Sequence, residues 1–153
     1  MDFIIQNALK QAESGSIYNN IKVGQASIKV FGVGGGGSNM VNWLFRKGVS
    51  GAEIIAANTD KQHLDIIEAD RKFLLGTHLT RGLGCGGFSE KGKEAAKESI
   101  QEIKDSLKET DMVFVCAGLG GGTGTGAAPV VAQIAKESGA IVIGTVTMPF
   151  DIE

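Results

Sequence analysis

Apolar positions along this chain fall into short runs that alternate with longer stretches of helical spacing. Ile28-Lys29-Val30-Phe31-Gly32-Val33 is a compact apolar run ending in glycines, the pattern of a strand buried on both faces. Residues 39–47 place Val41, Leu44 and Phe45 at helical spacing and stop at Gly48, so they read as a helix. Residues 54–57 read as a second buried strand running into Asn58-Thr59-Asp60, and residues 72–75 as a short third one. Ser89 is placed to cap a helix reaching about Thr110, with Ala96, Ile100, Ile103 and Leu107 on one face. On its solvated side, Glu90 with Lys93 and Glu94 with Lys97 are spaced to pair. Residues 112–117 form a fourth strand, 127–138 a helix closed by Gly139, and 141–146 the last strand. Residues 1–25, polar around Ser14-Gly15-Ser16, read as an N-terminal extension, and 26–153 as one domain.

Buried strands alternating with helices predict an α/β fold with a mainly parallel sheet. In such sheets a ligand sits beyond the carboxyl ends of the strands, where three polar or glycine-rich segments fall, after the first, second and fourth strands. Composition sharpens this: the chain has 23 glycines, and they cluster in loops without a repeating period. A net charge of −2 argues against a nucleic-acid footprint, which needs a basic patch. No apolar run reaches membrane-spanning length, and the first ten residues lack a signal-peptide pattern, so direct membrane insertion is not expected and a cytoplasmic chain is. Cys85 and Cys116 are too few for a disulfide framework, and with His63 and His78 they have no metal-ligand spacing. Both are expected to be reduced packing residues.

Two glycine segments carry the chemistry. Gly32-Val33-Gly34-Gly35-Gly36-Gly37-Ser38-Asn39 lies between strand and helix, where close backbone approach and a helix N-terminus favour an anion. Gly32, Gly34 and Gly37 also match the dinucleotide-binding fingerprint, which leaves a Rossmann-type NAD(P)-binding domain of an oxidoreductase as an alternative. That reading wants an acidic residue at the end of the second strand, and Asp60 lies past it. The second segment, Gly120-Gly121-Gly122-Thr123-Gly124-Thr125-Gly126, offers consecutive backbone donors and two hydroxyls, a nest suited to a di- or triphosphate. A dinucleotide-binding domain has no use for it. Neither segment contains the lysine of a P-loop.

At these residues the chain resembles the FtsZ and tubulin-like GTPases of cell division. Residues 120–126 resemble the tubulin-family glycine loop, and residues 34–39 the FtsZ form of the first phosphate loop. Asn58-Thr59-Asp60 with Gln62 and Leu64, the segment Arg81-Gly82-Leu83-Gly84-Cys85-Gly86-Gly87, and Pro149-Phe150 with Glu153 are similar to further loops of that family, in its order. Ser38 and Cys85 stand where glycine and alanine are usual in the bacterial form, which suggests a divergent, archaeal-like member. The resemblance implies a three-layer Rossmann-like sandwich that binds GTP or GDP with Mg²⁺. Gly34, Gly35, Gly36, Gly37, Ser38 and Asn39 would wrap the nucleotide from one side. Gly122, Thr123 and Gly124 would bind phosphates, with Gly120, Gly121, Thr125 and Gly126 shaping the nest. Gly84, Cys85, Gly86 and Gly87 would sense the γ-phosphate, Glu153 would reach the ribose, and Asp60 would lie near the metal. It further implies a GTPase that polymerises head to tail with itself, works with other division proteins and acts at the division site. Relatives continue past the point matching Glu153 into a central helix, a second domain and an activating acidic loop, so the 153 residues are expected to lack catalytic residues and to hydrolyse GTP poorly alone. A non-catalytic tubulin-like scaffold is the remaining alternative.

Overall fold

Five parallel strands form one sheet in the order β3-β2-β1-β4-β5 in a computed structural model that describes residues 24–149. The strands are β1 (Ile28–Val33), β2 (Glu53–Asn58), β3 (Arg71–Leu74), β4 (Met112–Gly118) and β5 (Ile141–Thr147). Between them run α1 (Gly34–Arg46), α2 (Lys61–Ile66), α3 (Thr77–Thr80), α4 (Ser89–Glu98), α5 (Ile100–Ser106) and α6 (Gly122–Glu137). The expected α/β class and parallel sheet are what the chain forms. Most of residues 1–25, and residues 150–153 with Glu153, lie outside the described residues.

The side-chain alternation of each strand explains the three layers. Phe31, Val33, Ile55, Ala57, Val113, Val115 and Ala117 point to one face and pack with Ala95, Ile103, Val131 and Ile134 from α4, α5 and α6. Val30, Ile54, Ala56 and Cys116 point to the other and pack with Val41 of α1 and Leu64 of α2. β1 and β4 lie at the centre of the sheet, and this is why their sequences are apolar at successive positions. At the opposite end of the sheet from the loops, the Lys29 ammonium is buried against the Glu53 carboxylate at 2.8 Å and the Ser106 carbonyl at 2.6 Å.

Element boundaries depart from the sequence reading in ways that matter for the site. Residues expected as glycine loops are instead the first turns of helices. α1 begins at Gly34 and α6 at Gly122, so each helix starts five residues earlier than its apolar spacing indicates. Pro129 suited a helix starting at residue 127, where its missing N–H would fall in the first turn. It lies well inside α6 instead, and deprives the Thr125 carbonyl of its usual partner. The helix expected from Ser89 to about Thr110 breaks at Ser99 and ends at Ser106. Phe88 takes the capping position, and no side chain caps. Lys97 pairs with Glu94 at 2.8 Å, whereas Lys93 and Glu90 form no ion pair. β5 differs most from expectation: Ile141 is 62% exposed and Val146 48%. As one of the two edge strands among the described residues, it has one paired side, and only its Val142 packs against the core.

α4 lies against α6 at backbone distance, and glycine makes this possible. A methyl group at Gly126 would fall on the Ser89 carbonyl oxygen and 2.6 Å from the Lys93 nitrogen. Gly126→Ala therefore pushes α4 from α6 and lowers stability by about 1–3 kcal/mol, as overpacking does. A urea titration checks this: the midpoint should fall with the slope unchanged.

Candidate functional site

The strand order places a crevice at the carboxyl ends of β1 and β4. From β1 the chain turns through α1 toward β2, and from β4 through α6 toward β5, so the two connections leave the centre in opposite directions. Such a switch point is where open α/β sheets hold ligands. Here both departing helices begin at the crevice and bring their free N–H groups and positive dipole ends to it. They touch. Gly34 adopts φ 73°, and a methyl there would lie 2.6 Å from the Gly124 nitrogen. Gly37 sits so closely under the Cys116 carbonyl that no Cβ fits.

The resulting cleft is about 490 Å³. Gly35 and Gly36 line one side, Gly121, Gly122, Thr123 and Gly124 another, and Gly84, Cys85, Gly86 and Gly87 a third. Asp60 supplies its one carboxylate and His63 its one imidazole; no lysine or arginine is among the described lining residues. The loop carrying residues 81–87 is stitched to the end of β2. Lys61 N–H donates to the Gly82 carbonyl at 2.9 Å, Gly84 N–H to the Thr59 carbonyl at 3.1 Å, and Asp60 bridges to Leu83. Its base is fixed by Glu98, which accepts the His78 N–H at 2.9 Å and the Leu79 N–H at 3.1 Å. The His78 N–H is the main cause holding that carboxyl below its usual range.

Three loops meet behind the cleft wall in a small buried polar cluster. The Thr59 and Thr123 hydroxyls are 2.7 Å apart, and Cys85 Sγ lies 3.4 Å from the first and 3.5 Å from the second. Thr125 Oγ1 accepts the Gly120 N–H at 3.0 Å. The two hydroxyls expected to face a ligand are thus bonded within the protein, and Gly121, Gly122, Thr123 and Gly124 are the residues of this segment that line the cleft. Ser38 is fully buried and its hydroxyl has no partner among the described residues. Cys116 is buried on the α1 side, where burial pushes its thiol up and keeps it protonated. Both cysteines are free.

Of the residues expected at the site, Gly34, Gly37 and Ser38 are buried behind the lining. Asn39 is exposed on α1 and bonded to His63. Gly120 and Thr125 brace the loop, and Gly126 contacts α4 instead of the cleft. Asp60 lines the cleft while one of its oxygens accepts the His63 N–H and caps α2. No cluster of three or more His, Cys, Asp or Glu side chains forms a metal site among the described residues. Asn58, His63, Leu83, Gly118 and Leu119 also line the cleft and were not singled out as site residues. Asn58 and His63 could have been found, since both lie within five residues of a strand's carboxyl end. The short helix that turns His63 inward has no clear apolar period.

Residues 27–153 match the family described as Tubulin/FtsZ family, GTPase domain. The chain is 53% identical over 150 residues to cell division protein FtsZ 2 of Methanocaldococcus jannaschii, covering 98% of itself and 39% of that protein. It is 53% identical over 131 residues to cell division protein FtsZ of Aquifex aeolicus, covering 86% and 36%. The fold superposes on a structure described as an empty FtsZ dimer of M. jannaschii with TM-score 0.84 and 48% identity, covering 92% of this chain and 41% of that one. It also superposes on the GTPγS-bound CetZ2 protofilament of Haloferax volcanii, with TM-score 0.73 and 29% identity over 83% of this chain and 41% of the other. The chain spans about two fifths of the length of these curated relatives.

The Thr59 hydroxyl is the link between β2 and the start of α6. Thr59→Val leaves the Thr123 hydroxyl without its oxygen partner and costs about 1–3 kcal/mol of stability. Thr59→Ser keeps the hydroxyl and loses less, a ranking that thermal denaturation of the two variants checks.

Proposed function

The chain belongs to the Tubulin/FtsZ family of GTPase domains, and from that premise we propose that its cleft binds GTP and GDP through the first turns of α1 and α6. The observation that carries the reading is the convergence of two helix N-termini on one cleft with no lysine or arginine among its described lining residues. Polyphosphate charge is met there by backbone N–H groups and two dipole ends. Gly35 and Gly36 approach the nucleotide from α1, and Gly122, Thr123 and Gly124 hold phosphate from α6. Gly84, Cys85, Gly86 and Gly87 close over the terminal phosphate, with Gly34, Gly37, Ser38, Gly120, Gly121, Thr125 and Gly126 shaping the frame. Asn39 reaches the nucleotide from the rim, and Glu153 the ribose.

Mg²⁺ fits this donor set only together with the nucleotide. Asp60 is the one carboxylate among the described lining residues and one of its oxygens is engaged, so Asp60 would hold the ion only with phosphate oxygens and water as further donors. When bound, the ion would offset phosphate charge that no lysine or arginine among the described lining residues balances. In the whole protein the bound nucleotide is hydrolysed and copies stack head to tail, a heterologous contact that propagates as a filament. The protein works in the cytoplasm with other division proteins. A dinucleotide-binding oxidoreductase shares the sheet order but leaves the α6 nest and the 81–87 loop without a role.

Titration with a fluorescent GTP analogue in Mg²⁺ tests the reading. Displacement by GTP and GDP, and by neither ATP nor NAD, is expected; displacement by NAD overturns it. Gly35 and Gly121 give a selective variant test. Both line the cleft, and an added methyl meets no atom within 4 Å at either. Gly35→Ala and Gly121→Ala should keep the wild-type melting temperature while binding GTP at least about tenfold more weakly, because the methyl occupies the ligand's space.

A further inference from the structure

Asn58, His63 and Asn39 stand on β2, α2 and α1 and join in one chain of hydrogen bonds along the rim of the cleft. Its polarity can be read from one end. The Thr59 backbone N–H can only donate, and its acceptor is Asn58 Oδ1 at 2.8 Å. Asn58 therefore turns Nδ2 to His63 Nδ1, 3.2 Å away. An amide nitrogen also only donates, so Nδ1 is the acceptor and carries no proton. The ring's proton sits on Nε2, which donates to Asn39 Oδ1 at 3.1 Å. With its oxygen taken, Asn39 has its two Nδ2 donors left, and they have no partner among the described residues. Asn39 lies four residues after Gly35 and three after Gly36, the two α1 residues that line the cleft.

We propose that His63 is a positioning residue for nucleotide binding: it fixes the Asn39 amide so that donors, and never the amide oxygen, face the acceptor-rich nucleotide. The inference rests on the guanine-nucleotide reading above. An unheld asparagine on an exposed helix face turns either way, and one of its orientations sets an oxygen against phosphate or ribose oxygens. His63 removes that orientation before the ligand arrives, through a relay anchored on a backbone group that cannot reverse. The imidazole acts through Asn39 and through Asn58 behind it, so its effect depends on which ring nitrogen bears the proton.

Two measurements on the full chain test this. The ¹⁵N shifts of the His63 imidazole are expected to report the Nε2–H tautomer; an Nδ1–H tautomer overturns the relay. In nucleotide titrations, His63→Leu is expected to bind GTP about three- to tenfold more weakly, the worth of one oriented neutral hydrogen bond. His63→Gln can accept from Asn58 through Oε1 and donate to Asn39 through Nε2, so it should recover wild-type affinity to within about twofold. Equal binding by wild type and His63→Leu overturns the proposal, as does a glutamine variant as weak as the leucine one. A wild-type chain that binds no guanine nucleotide overturns the functional reading and takes this proposal with it.

Discussion

The backbone contact between the first turns of α1 and α6 governs the rest of the molecule. Gly34 meets Gly124, and Gly37 fits under the Cys116 carbonyl, so both helices start at the carboxyl ends of adjacent central strands. Each helix presents the equivalent of about half a positive charge at its N-terminus. Holding two such ends together is unfavourable by itself, and an anion between them offsets the cost. The glycines make that approach geometrically possible; the layers of apolar side chains behind β1 and β4 hold it in place. Site and core therefore depend on the same few residues.

Around that contact the loops are bonded mainly to one another. The Thr59, Thr123 and Cys85 cluster joins β2, α6 and the 81–87 loop, while Glu98 fixes the turn from which that loop departs. Loops held in this way lose little freedom when a ligand enters, which favours binding through preorganisation. Ser38 stands apart: its buried hydroxyl has no partner among the described residues, and nothing in the structure explains why a hydroxyl is there.

The cleft's electrostatics follow from its composition. Dipoles and N–H groups supply directional but partial positive charge, and the Asp60 carboxylate, the one among the described lining residues, adds negative charge beside them. A polyphosphate in such a site would remain under-neutralised without a metal ion, which is the physical basis for proposing Mg²⁺ together with the nucleotide.

Much of this was legible in the residues. Local apolar periodicity determined the strand–helix alternation, and hence the parallel sheet and the end of it that carries the loops. The placement of Gly, Thr, Asn and Asp after the first, second and fourth strands marked the two helix starts as chemistry-bearing segments, and the 81–87 loop was marked only by the family resemblance. Periodicity failed where glycine fills a helix's first turns, because glycine contributes no apolar side chain to count; Gly34 and Gly122 begin helices where neighbouring backbone leaves no room for a Cβ. It also failed for β5, whose apolar sequence does not reveal whether a neighbour covers it. The direction of the Thr123 and Thr125 hydroxyls, and the relay from Asn58 through His63 to Asn39, were decided by tertiary structure alone. The Thr123 bond and the two imidazole bonds of the relay join side chains on separate elements, and their partners are set by how those elements meet, which no local pattern encodes.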